Sequence, residues 1–279
     1  MSRPSTYNLI YNVAGALIGL SLVGYIAYSF LSNDDEPPCT ARYPAPTQFA
    51  LETADGAPLS PIELQARVGL REWGVIENAR VIPVEGSTGA ALEVKLASAT
   101  DHAAVAQRQA NGIDFRWSPL GMKSPNAACL SYSVWLPEGF AFNDGGGVLP
   151  GIIGGLPAPA QSSIADRFAA RLQWAGDGKG TLYVAAAGHA YREVNFGGFP
   201  LPVGRWMRVE QELILNQPGE ANGVVRLWAD GALKAEDKGL DLRKNDNAKI
   251  TGVLADVGYM RQPGPAASLR LSPFELAWR

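Results

Sequence analysis

The chain carries two histidines, the side chains best suited to moving protons near neutral pH. His189 sits in AAAGHAYRE with Tyr191 and Arg192 beside it, and His102 sits in ATDHAAVAQ. Arg171 lies in FAARLQW between Ala170 and Leu172, so period-two alternation sets it on one face of a sheet. There it would either hold an anionic group or pair with an acid such as Glu210 or Glu212. Lys123, Gln173 and Tyr259 are further polar candidates, and ordinary exposure accounts for each of them. Asp144 and Asp177 stand in glycine-rich turns, where isolated acids usually shape the turn. There is no Ser-His-Asp order, no phosphate-cradling G-x-x-x-x-G-K-S/T and no metal-ligand spacing, so neither cofactor nor metal is expected.

Elements that would position these groups are short strands. The chain has 279 residues, 47% hydrophobic and 18% charged, with a formal net charge of −3. That near-neutral balance gives no general attraction to nucleic acid. Apolar alternation recurs between turn signals: ALEVKLA (91–97), CLSYSVWL (129–136), RLQW and TLYVAAA around the AGDGKG turn (175–180), WMRVEQELIL (206–215), GVVRLWAD (223–230) and SLRLSPFELAW (268–278). This is the half-buried strand signature. Only PIELQARVGL (61–70) reads as a helix. Trp135, Trp174, Trp206 and Trp228 fall in strands, where core packing is expected. The expectation is one all-β sandwich of jelly-roll type over 49–279.

The N-terminus reads differently. From Leu9 to Leu31 no residue is charged, and tyrosines flank both ends, so 9–31 is expected to be an uncleaved transmembrane anchor. A cleaved signal peptide would have a shorter apolar run and a small-residue cleavage site. Arg3 before the span and the acids Asp34, Asp35 and Glu36 after it favour a cytoplasmic N-terminus at 1–8. The bulk of the chain is then extracytoplasmic, or periplasmic, on a single-pass anchor in the cytoplasmic membrane. Residues 32–48 are polar and proline-rich and read as a stalk. The two cysteines, Cys39 and Cys129, either pair, which that compartment permits and which would fasten the stalk, or remain two buried thiols.

Between strands stands NDGGGVLPGIIGG (143–155), followed by FAARLQWAGDGKGTLYV and GRWMRVEQELILNQPGEANGVVRLWADG. In that order these segments resemble the polysaccharide lyases of family 14, the alginate- and glucuronan-lyase-like group. Those proteins carry G-G-K-L-P-G-x-x-G-G, then S-x-R-x-x-W, then Y-x-Y, a G-x-W strand and an L-N-x-P-G turn. The resemblance runs from about Leu130 to Gly231. It implies a β-jelly roll whose cleft holds an anionic polysaccharide, with Gly147, Val148, Pro150 and Gln173 at the substrate. The implied chemistry is β-elimination. A cation neutralises the uronate carboxylate, a base removes the C5 proton, and an acid protonates the departing 4-oxygen.

Carried over position by position, the motif arginine falls on Arg171 and the first tyrosine on Tyr183, both intact. The lysine falls on Val148, the serine on Ala169 and the second tyrosine on Ala185. Arg171 is then expected at the carboxylate and Tyr183 in proton transfer, with His189 as a substitute base. Three functions compete on this reading: an anchored lyase, a non-catalytic protein that binds glycan in the same groove, and a structural subunit recruited to other membrane-protein subunits.

Overall fold

The computed structural model describes residues 36–69, 71–84, 89–96, 111–156, 167–186, 189–260 and 265–279, together with 18, 19, 21, 23 and 24. The expected anchor at 9–31 therefore lies almost wholly outside the described residues, as does His102. Among the described residues no helix is long and apolar enough to cross a membrane.

After a single 3-10 turn at Cys39–Ala41, the chain forms β1 (Thr47–Gln48), α1 (Pro61–Val68), β2 (Glu72–Trp73), α2 (Val75–Asn78), β3 (Ala79–Pro83) and β4 (Ala90–Leu96). Next come β5 (Ile113–Trp117), β6 (Ala127–Trp135), β7 (Gly147–Gly155), β8 (Arg167–Trp174), β9 (Lys179–Ala186) and β10 (His189–Pro200). The chain continues through β11 (Trp206–Ile214), β12 (Gly223–Ala229), β13 (Ala232–Leu240), β14 (Lys249–Tyr259), β15 (Ala267–Leu271) and β16 (Glu275–Trp278).

These strands make two antiparallel sheets. The front sheet runs β10-β9-β8-β7-β14-β5-β2. The back sheet runs β13-β12-β11-β6-β15-β4-β3, with β16 also paired to β6 and β1 added on β16. Alternation decides what lies between them. Leu149, Ile152, Leu172, Leu182 and Val253 of the front sheet form one cluster with Leu92, Leu130, Val209, Leu213 and Leu271 of the back sheet, all fully buried. Each such side chain contributes about 1.5–3 kcal/mol relative to exposure. The all-β sandwich expected from the alternating runs is the observed architecture.

The expected helix is α1, and local chemistry explains its limits. Ser60 Oγ accepts from Glu63 N, Glu63 Oε2 accepts from Ser60 N at 2.8 Å, and Pro61 opens the first turn. Gly69, at φ +86°, ends it.

The chain divides into two compact units, Met1–Pro37 and Pro38–Arg279. Residues 38–48, read from the sequence as the far end of a stalk over 32–48, are thus part of the body. They cover buried acids on the outer face of the back sheet. Thr40 donates to Glu210 Oε2 through N at 3.1 Å and Oγ1 at 2.9 Å. Tyr43 OH donates to Glu212 Oε1 at 2.9 Å, while Arg42 Nη2 and Arg226 Nη1 reach Glu212 Oε2 at 2.8 and 2.7 Å. Without these partners the buried carboxylates would cost several kcal/mol each, on the order expected for unpaired buried charge. Cys39 and Cys129 form a disulfide beneath the same segment.

The tryptophans divide. Trp174 and Trp228 are buried, but Trp135 and Trp206 stand half-exposed on the outer face of the back sheet, where Arg270 lies 4.7 Å over Trp135. Core packing, expected for all four, holds for two. Phase puts Trp135 and Trp206 on that face, with Val134 and Met207 on the core side. Trp228 shares the face, opposite Glu210, but is buried there against Cys39, Tyr43 and Cys129.

Candidate active site on the front sheet

Strand pairing places the expected residues in rungs. Arg171 on β8 is the register partner of both Gly151 on β7 and Tyr183 on β9. One rung away, Val148, Gln173 and Thr181 align. On the other side, Ile153, Ala169 and Ala185 align. Partners in an antiparallel pair share a face, so Val148, Ala169, Arg171, Tyr183 and Ala185 all belong to the outer face of the front sheet. Their sequence neighbours Leu149, Ala170, Leu172, Leu182 and Val184 point to the core.

The glycine run on β7 becomes intelligible here, because Gly147, Gly151 and Gly154 each clear a specific neighbour. A Cβ on Gly147 would lie 1.8 Å from the Trp174 ring, and one on Gly154 would lie 2.1 Å from Phe168. Both rings belong to the core. Gly151 clears the outer face instead, since its Cβ would meet Ala170 O at 2.1 Å and Arg171 Cγ at 2.7 Å. The Arg171 stem lies flat over Gly151 and reaches β14, where Nη2 donates to Asp256 Oδ2 at 2.6 Å. A register shift between Val148 and Gly151 turns the Pro150 carbonyl inward. It accepts from Tyr132 OH at 3.1 Å and Gln211 Nε2 at 2.9 Å, both from the back sheet. Burial raises the Tyr132 phenol well above its ordinary range, so it stays a donor.

Several expectations are corrected by this arrangement. Arg171 pairs with Asp256, not with Glu210 or Glu212, which lie on the outer face of the other sheet. Of the positions expected at a substrate, Gly147 has no side chain and the Cβ it lacks would point at the Trp174 ring, and the Pro150 carbonyl accepts from Tyr132 and Gln211 of the back sheet. Tyr259 is buried, has its OH within donating distance of both Ala141 O at 3.1 Å and Pro265 O at 3.2 Å, and packs edge-on against Trp174. Asp177 shapes its turn as expected, accepting from Lys179 N. Lys123 is exposed in the loop before β6. His189 opens β10 opposite Ala186, but its side chain lies outside the described residues. The structure therefore brings Arg171, Tyr183, Val148 and Gln173 to one face.

Asp256 is the residue sequence reasoning missed. It is the one charged residue between Ile250 and Tyr259, in a segment whose glycines, Gly252 and Gly258, interrupt the alternation. Its register partner on β5 is Asp114, and Leu254 aligns with Arg116. Acids and cations on this part of the face therefore balance. Arg171 is 8% exposed. Its Nε is buried and has no hydrogen-bond partner among the described residues.

No metal arrangement competes with this site among the described residues. The one group of potential ligands is Cys39, Cys129 and Glu210, and its two sulfurs are bonded to each other. A pocket of about 560 Å³ lies on the outer face of the back sheet, lined by Gln48, Glu52, Ser133, Trp206 and Ser272 among others. It contains none of Val148, Ala169, Arg171, Tyr183 and Ala185, and of the family motif only Trp206 of the G-x-W strand lines it.

The family description that matches this chain is polysaccharide lyase 14, over residues 85–259. No curated protein matches it by sequence. Among solved structures, an alginate lyase from Aplysia kurodai is similar with a TM-score of 0.67 and 18% identity, covering 84% of this chain and 98% of its own. An alginate lyase from Chlorella virus has a TM-score of 0.60 at 16% identity, with 72% and 89% covered. An endo-β-1,4-glucuronan lyase from Trichoderma reesei has a TM-score of 0.53 at 13% identity, with 73% and 89% covered. At these identities the likeness establishes the fold.

Proposed function

Because this chain belongs to the polysaccharide lyase 14 family, we propose that it recognises a uronate-containing polysaccharide on the outer face of its front sheet. The observation that carries this reading is the Arg171–Tyr183 rung. A guanidinium offers a planar fork to a carboxylate, and the phenol beside it offers a hydroxyl to the same sugar.

Recognition outweighs turnover on this face. Elimination needs the carboxylate neutralised, the C5 proton removed and the 4-oxygen protonated as its bond to C4 breaks. An unperturbed tyrosine titrates near pH 10, roughly three units from neutrality, so it removes a proton efficiently only in a strongly positive field. The position that would supply a lysine is Val148, and the only mapped cation, Arg171, is already neutralised by Asp256. Slow elimination or none is expected.

The polysaccharide is met outside the cytoplasm, with 9–31 as the anchor. The uncharged run and its flanking charges support that placement, and so does the Cys39–Cys129 disulfide, because such bonds persist in oxidising compartments.

The test measures binding of alginate and glucuronan oligosaccharides alongside formation of the unsaturated uronate chromophore in the ultraviolet. Binding abolished by Arg171→Ala, without chromophore, supports recognition. A chromophore lost in Tyr183→Phe supports the second reading, an active lyase, which the adjacency of Arg171 and Tyr183 favours. Binding to neither polymer defeats both.

A further inference from the structure

We infer that Asp256 is a specificity-determining residue, an internal carboxylate that competes with the ligand's carboxylate for Arg171. The inference rests on the recognition reading above and deepens it.

Three features carry it. First, the contact is made at the site itself. Arg171 crosses β7 over Gly151 to reach Asp256, and any side chain at 151 would block that path. Second, the two partners differ in access. The Asp256 side chain is 32% exposed and that of Arg171 is 9% exposed, so a ligand arriving from solvent meets the carboxylate before the guanidinium. Third, the guanidinium is not saturated. Asp256 engages Nη2 alone, while Nε is buried without a partner among the described residues. A buried donor left unpaired is destabilising. A carboxylate that takes two nitrogens of the fork recovers part of that cost, and a monodentate one does not.

Chemical consequences follow from the charge count. An anionic sugar bound at Arg171 must displace Asp256, and the freed carboxylate then stands beside Asp114 on the same face. Asp256, having lost its partner, repels a polymer that carries a carboxylate on every residue. A chain with an isolated uronate brings no further charge to the site, whereas a polyuronate brings flanking carboxylates within the screening length of Asp256. Asp256 thus biases the face toward glycans with isolated uronates, where a lyase site would accept a continuous polyanion.

The experiment compares the full chain with Asp256→Asn, which keeps the shape and removes the charge. Binding of polyuronate oligosaccharides should strengthen at least tenfold at low salt, and the gain should shrink as ionic strength rises. Adding Arg171→Ala to Asp256→Asn should erase it. Equal or weaker polyuronate binding by a folded Asp256→Asn overturns the inference.

The outcomes separate this claim from the recognition reading. If the unmodified chain fails to bind but Asp256→Asn binds, the inference stands and the reading of the native function falls. If the unmodified chain binds and the variant is no better, the inference falls alone. Should the variant not fold, a structure of the unmodified chain saturated with an oligouronate decides. A displaced Asp256 supports the inference, and an intact Arg171–Asp256 pair beside bound sugar refutes it.

Discussion

Arg171 Nη2 lies 2.6 Å from Asp256 Oδ2, although the two residues sit on β8 and β14 with β7 between them. An arginine stem spans the intervening strand only because residue 151 has no side chain. Gly151→Ala should therefore do two things. The new methyl meets the Ala170 carbonyl and the Arg171 stem, so β7 and β8 must shift. A loss of about 1–3 kcal/mol is expected for such overpacking, read as a lower denaturant midpoint. Glycan binding should fall with it, because the new methyl displaces the Arg171 stem and the β7–β8 strands from the face that meets the sugar.

Val148 occupies the position where the family motif has lysine, and it shares a rung with Gln173. Val148→Lys adds a cation to the face that carries Arg171. Polyuronate binding should strengthen several-fold at low salt, and the gain should decline as the salt concentration passes ~0.1 M, where the screening length is about 10 Å. Titration of oligosaccharide at two ionic strengths checks it. An unchanged affinity would mean that this part of the face does not meet the polymer.

The disulfide between Cys39 and Cys129 joins residues 90 apart in sequence and holds the 38–43 segment against buried acids. Reduction, or Cys39→Ser with Cys129→Ser, should cost about 2–5 kcal/mol. Chemical denaturation with and without reductant measures this directly. Reductant should leave the double variant's midpoint unmoved.

Tyr43 predicts a response to alkali. Burial, and then the Glu212 carboxylate it touches, push its phenol from 10.0 up to about 12. Between those values the unfolded chain releases the proton and the folded chain keeps it. Stability is therefore full below pH 10 and falls as pH climbs toward 12. Tyr43→Phe should be less stable at neutral pH, having lost the bond to Glu212, and should show a shallower decline above pH 10. Midpoints measured across that range decide it; parallel slopes would assign the alkaline loss to other groups.

If residues 9–31 anchor the chain with its N-terminus inside, protease added to sealed spheroplasts should remove the C-terminal body. Protection of the body would reverse the topology.

Much of this architecture was written in local patterns. Period-two alternation in CLSYSVWL and WMRVEQELIL marks β6 and β11 because a sandwich strand buries every second residue. The Ser60–Glu63 capping box and Gly69 delimit α1 for equally local reasons. The order of glycine, arginine and tyrosine motifs pointed to the family and to the face that holds Arg171, Tyr183, Val148 and Gln173. What sequence could not supply were relations between distant segments. The β14 strand went unread because Gly252 and Gly258 break its alternation, and those glycines answer to Trp117 and Asn111 across the sheet. Asp256 became part of the site only when β14 paired with β7, which brings residues some hundred positions apart into one sheet. The roles of Gly147, Gly151 and Gly154 likewise depend on which ring or stem packs over each one. A missing side chain records that space is needed, and only the tertiary structure decides what fills it.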